Sequence, residues 1–160
     1  MLLGTAAWLL AAQWYRAPAH DGSRVWFYDE SEKRLYPMPV DTVPPDAGVG
    51  GARGDGDRAV VVAFDGRGSD PAKRRLAYLL RYTPELKQSL EAVAAAHAAR
   101  RVPANPPPDR NSDYFRQNTL VRLPDDSEWH PAGTPEARLA MDAWRSWRGP
   151  GGEPPMVCTP

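Results

Sequence analysis

Three histidines, one cysteine and a scatter of carboxylates are the residues from which this 160-residue chain could build a reactive centre. His20, His97 and His130 never fall three or four positions apart, so no helix can present two of them to one metal ion. His97 sits on an apolar stripe with Leu86, Leu90, Val93 and Ala94, the setting of a half-buried structural histidine. His130 follows Asp125, Asp126 and Glu128 in a turn. With Asp65 it offers one arrangement of hydrolytic or ligand-binding character: His130 as general base, and Asp125, Asp126 and Asp65 as the carboxylates around it. No residue type or spacing marks a nucleophile for that base. Cys158 lies in a proline-flanked tail that lacks the positive surroundings a reactive thiol needs, although a bond to another chain is open to it if the protein is exported. The acidic turn does not follow the twelve-residue calcium-loop pattern. Asp65-Gly66-Arg67-Gly68 stands between an apolar run and a helix-start signal, where phosphate loops occur. Its glycine spacing matches neither phosphate motif, and the cap Asp70 would repel an anion there. The residues therefore predict no catalytic set, no cofactor and no metal.

Composition narrows the classes further. Twenty basic and twenty acidic residues cancel, so no overall field draws the chain to nucleic acid. A single cysteine excludes an internal disulfide and any multi-thiolate zinc site. Eighteen prolines and thirteen glycines make up close to a fifth of the chain, against about 12% in average usage, so much of it is expected to be loop.

The elements that must carry these residues begin with Met1 to Tyr15, which holds no charge before Arg16. Fifteen helical residues reach about 22 Å, short of the roughly 30 Å of a bilayer core. Three readings stay open for it: an N-terminal anchor with Trp8, Leu9, Leu10, Trp14 and Tyr15 in the membrane and its interface, a cleaved export signal, or a helix packed on the domain. Residues 16–24 read as a linker and 25–148 as one α+β domain. Val25 to Tyr28 and Arg34 to Tyr36 flank a polar connection and predict a hairpin. Residues 37–57 predict an irregular, mobile excursion. Ala59 to Phe64 is the expected central strand. Asp70-Pro71 and Thr83-Pro84 each signal a helix start, which predicts a broken helix pair over residues 71–101, with Lys73, Arg74, Arg75 and Arg81 forming a basic outer side that could meet a partner. Four prolines within 103–108 predict an extended connector. A second hairpin is expected from Thr119 to Leu123 and Glu128-Trp129, then a C-terminal helix after Thr134-Pro135 with Trp144 and Trp147 on its apolar stripe, and a flexible tail over 149–160. Trp26, Trp129, Trp144 and Trp147 are the expected core between sheet and helices.

Taken together, Phe27-Tyr28-Asp29, Leu35, Pro44-Pro45, Val60 to Phe64, Tyr78 and Leu79, Tyr82-Thr83-Pro84-Glu85, Glu128-Trp129 and Cys158-Thr159-Pro160 resemble a family of uncharacterised bacterial proteins with an N-terminal membrane anchor and one small α+β domain. Members of that family often carry a cysteine pair after the central strand, where this chain has Asp65-Gly66-Arg67-Gly68. The resemblance implies a single-pass protein of the bacterial inner membrane whose C-terminal domain is extracytoplasmic. It implies no activity. The expected function is that of a non-enzymatic, membrane-anchored accessory or structural protein of an envelope assembly, acting on a protein partner. No nucleic acid or small-molecule substrate is expected. The hydrolase or ligand-binding reading of His130 is the alternative.

Overall fold

The structure, a computed structural model, describes residues 23–51, 54–65 and 68–160. Trp8, Leu9, Leu10, Trp14, Tyr15 and His20 lie outside these, as do Gly66 and Arg67. Among the described residues no helix is long and apolar enough to cross a membrane.

The fold is mixed α+β, built on a seven-stranded antiparallel sheet with three helices. Strands β1 (Arg24–Asp29) and β2 (Arg34–Pro39) form the expected hairpin, with Tyr28 opposite Leu35 and Phe27 opposite Tyr36. β3 (Gly56–Ala63) lies between β1 and β4 (Arg74–Tyr82), and β5 (Thr119–Arg122) and the two-residue β6 (His130–Pro131) complete the row. β7 (Met156–Val157) pairs with Val62 and Ala63, on the edge of β3 that β1 leaves vacant beyond Ala59. The helices are α1 (Pro84–Ala98), α2 (Asp113–Asn118) and α3 (Pro135–Ala143).

β4 replaces the first half of the expected helix pair. Asp70 does cap a helical start, accepting from the Ala72 amide at 3.0 Å, but the helix is a single 3₁₀ turn over Pro71–Lys73. Leu76 and Leu79 are three apart because Ala77 is an extra residue in the β3–β4 ladder, a bulge that returns both leucines to one face. The apparent helical period of this segment is that bulge. Because both faces of β4 are covered, the apolar residues form a nearly continuous run and offer no alternation to read. Thr83 then caps α1 with Pro84 in its first turn, and Leu86 anchors that helix in the core.

The two faces of the sheet are closed differently. On one, α3 packs Ala137 and Ala140 against Val121, with Tyr78 and Leu80 alongside. On the other, Ala59, Val61, Ala63 and Leu79 lie beneath Trp26, Tyr28, Leu35 and Trp129, and the cluster contains no residue of the three helices. Arginines extend this aromatic cover: Arg74 lies 4.7 Å from the Trp26 ring, and Arg81 and Arg122 lie 4.2 and 4.8 Å from that of Trp129.

Three further expectations are corrected. The described part of residues 37–57, namely 37–51 and 54–57, is tied down rather than mobile: the buried Asp29 carboxylate accepts from the Val49 amide at 2.6 Å, and Asp46 forms a two-bond bridge with Gly56. Their polar groups find carboxylates and backbone partners although the sequence has no periodicity. The tail returns to the sheet, where the Cys158 amide donates to the Val61 carbonyl at 2.9 Å and the thiol is buried. The second hairpin forms, but β6 is His130–Pro131 instead of Glu128-Trp129. Trp129 is thereby freed to cover the sheet.

Candidate functional site

An open cleft of about 570 Å³ lies between β4 and the turn that leaves β5. Leu76 and Ala77 of β4, with Leu123 and Pro124 of the turn, make its apolar wall, Trp147 flanks it, and Arg75, Asp125 and Asp126 supply its charge. The position follows from local structure, because the Ala77 bulge widens the strand beside it and the 3₁₀ turn Trp144–Ser146 after α3 sets Trp147 over it.

The acidic turn is held from below by Arg122, a buried residue on β5. One guanidinium nitrogen donates to the carbonyls of Leu123 at 3.3 Å and Pro124 at 3.2 Å, and to that of Asp126. The other meets the Glu30 carboxylate across the sheet. Burial lowers the affinity of this guanidinium for its proton, and the neighbouring Asp126 charge opposes that, so the arginine stays charged. Asp125 and Asp126 are therefore exposed carboxylates on a turn of fixed shape, and neither forms an ion pair among the described residues. Arg75 lines the same cleft from β4, with its guanidinium 5.2 Å from the Phe64 ring.

Asp57 is fully buried at the start of β3 and receives Arg81 Nε at 2.9 Å and Nη2 at 2.6 Å. Burial pushes its carboxyl up to about 6; Arg81 pulls the other way, and the Asp55 and Asp46 charges add to the rise. Asp29 moves oppositely, held down at about 2 by amide donation from Glu32, then by Ser31, Val49 and Gly50. The Tyr36 hydroxyl donates to Asp46, and burial together with that carboxylate raises the phenol above its ordinary value. Burial likewise raises the Cys158 thiol.

The expected site residues separate. Asp125 and Asp126 line the cleft, whereas His130 pairs with Val121 on the sheet edge and Asp65 accepts from the Gly68 amide at 2.8 Å; neither of these lines the cleft. The four basic residues do not share one side, because a strand alternates. Arg74 bonds the Gly68 carbonyl at 2.6 Å, Arg75 points to the opposite face, Arg81 holds Asp57, and Lys73 ends the 3₁₀ turn. Among the described residues no group of three histidine, cysteine or acidic side chains is placed to hold a metal ion. Sequence reasoning missed Asp57, Arg122 and Trp129 as a linked set. The one signal was a charged residue at either end of a β run, at Asp57 and Arg122.

No protein-family model, no curated protein and no solved structure matches the chain.

Proposed function

We propose that this protein is a non-enzymatic accessory or structural component of a bacterial envelope assembly, tethered by residues 1–15 and working through contact with a protein partner. The observation that supports this most is the make-up of the cleft: an apolar wall beside Trp147 and two exposed carboxylates on a braced turn. An aromatic side chain against a partly apolar surface is what protein contacts are built from. The charged groups in the described lining are Arg75, Asp125 and Asp126, side chains that suit ionic contact with a partner. The hydrolase reading needs His130 beside Asp125 and Asp126, and His130 is not among the residues that line the cleft.

The test is fractionation of bacteria that express the full chain with a C-terminal tag, followed by protease treatment of spheroplasts. The reading expects the tag in the membrane fraction and cleaved, while a cytoplasmic marker stays protected. A tag that is soluble and protected overturns both the tether and the envelope role.

A further inference from the structure

We infer that the cleft receives an extended segment of a partner protein in which an arginine or lysine stands next to apolar residues. This rests on the reading of the cleft as a contact surface and adds the chemistry of what it contacts.

The charge layout carries the argument. At the turn end, Asp125 and Asp126 are exposed and without ion-pair partners among the described residues. The exposed Glu128 follows on the same turn, so three carboxylates there face solvent while the Arg122 charge beneath them is buried. The Arg122 bonds to the carbonyls of Leu123, Pro124 and Asp126 fix the loop before anything binds, which reduces the ordering cost of association. At the strand end, Arg75 is held aside over Phe64 and presents donors rather than acceptors. An extended peptide matches both ends. Its cationic side chain meets the turn, its backbone carbonyls meet Arg75, and its apolar side chains cover Leu76 and Leu123 beside Trp147. An acidic segment would place carboxylates against Asp125 and Asp126, and a wholly apolar one would desolvate them without return. Trp147 can also stack on an arginine guanidinium or the stem of a lysine.

The experiment uses the full chain in a mild non-ionic detergent and three fluorescein-labelled capped peptides, alternating leucine with arginine, glutamine or glutamate. Fluorescence anisotropy should show saturable binding of the leucine–arginine peptide that weakens as salt rises. The paired change Asp125→Asn with Asp126→Asn should weaken it by roughly tenfold, as expected for two exposed charge contacts. Asp126 also faces the Arg122 charge that braces the turn, so circular dichroism and the urea midpoint check the fold of the pair, and Asp125→Asn alone, which leaves that contact, should weaken binding about threefold. Trp147→Ala should weaken the arginine and glutamine peptides alike. The inference is overturned if no peptide saturates, if the glutamine peptide binds as well as the arginine one, or if the asparagine pair leaves affinity unchanged. It also falls if sedimentation shows a dimer that the asparagine pair disperses, since the occupant is then a second copy of this chain. Peptide binding by a chain that fractionates as soluble would separate the two readings, leaving the cleft's chemistry standing without the tether.

Discussion

Arg81 grips Asp57 with two nitrogens, Nε at 2.9 Å from Oδ1 and Nη2 at 2.6 Å from Oδ2, and the same guanidinium lies 4.2 Å from the Trp129 ring. Asp57 on β3 is thus linked through one arginine to the residue that closes the non-helical face of the sheet. Arg122 lies against the same ring and carries the acidic turn of the cleft, so the cover of the core and the shape of the cleft depend on one group of side chains.

Removal of Arg81 leaves a carboxylate with no solvent access and no cation. Arg81→Met should therefore destabilise the protein by about 3 kcal/mol at pH 8, in the range for a buried ion pair stripped of one partner. Asp57→Asn in the same chain should recover much of the loss, since a neutral amide is less costly to bury than a charge. Urea unfolding of both variants is the measurement. If Arg81→Met alone unfolds at the wild-type midpoint, the pair has no structural weight.

The two unusual carboxyls give stability opposite pH dependences. Asp29 has its folded value at about 2, below the ordinary 3.8, so its contribution is fully present above about 4 and is lost as pH falls toward 2. Asp57 has its folded value at about 6, above the same reference, so its contribution is fully present below about 4 and is lost as pH rises through 6. Relative to wild type, Asp29→Asn should lose its deficit as pH drops from 4 to 2, and Asp57→Asn should gain stability as pH rises from 4 to 7. Urea midpoints across that range check both signs. A wild-type minus Asp57→Asn difference that stays flat from pH 4 to 7 rules out the elevated value.

How much of this was legible depends on the distance over which each feature is encoded. The β1–β2 hairpin, α1 and α3 are local: a short polar connection, and a threonine followed by proline whose hydroxyl accepts from the amide three residues on, at 3.5 Å for Leu86 and 3.3 Å for Ala137. β4 was hidden because a bulge at Ala77 imitates helical spacing. α2 has only six residues, and behind its Ser112 cap stand just Tyr114 and Phe115, too short a run to show a helical stripe. The fixed loop over 40–51 depends on Asp29, about twenty positions away, and the Asp57–Arg81 pair joins neighbouring strands from positions 24 apart. The same limit applies to the cleft. Asp125 and Asp126 were noticed as an acidic turn, but their apolar neighbours Leu76 and Trp147 come from distant segments that only the sheet brings together.

Leu86 is the single fully buried residue of α1, a helix whose remaining length is mostly half-buried or exposed. Its first turn is also attached by polar contacts outside the core: the Thr83 amide and hydroxyl bond Asn118 at 2.9 and 2.8 Å, and Lys87 donates to the Val43 carbonyl at 3.3 Å. Leu86→Ala should cost about 3 kcal/mol, within the span for a buried leucine truncated to alanine. Hydrogen exchange should show the loss concentrated in the amides of α1, with β3 and β4 amides falling only by the change in global stability. Equal acceleration of every amide in α1 and the sheet would instead mean that the helix has no separate opening.

Gly68 is the residue on which the return of the tail depends. Its φ of +61° already disfavours a side chain, and a Cβ there would lie 2.5 Å from Cys158 Cβ and 2.6 Å from its sulfur. Gly68→Ala therefore cannot be absorbed by a rotamer change alone; the Cys158 backbone, bonded to Val61, must shift. The cost should be about 2 kcal/mol or more, combining left-handed strain with local overpacking. The direct readout is thiol labelling. In wild type the buried thiol, with its proton held by burial, should react slowly with an aromatic disulfide under native conditions. In Gly68→Ala the reaction should be faster by roughly the factor that 2 kcal/mol represents, about thirtyfold, if the tail opens locally. Removal of residues 154–160 should at the same time expose Val61 and Val62 and lower the unfolding midpoint. Fast labelling of wild-type Cys158 at the rate of a free thiol would show that β7 does not hold the tail in solution.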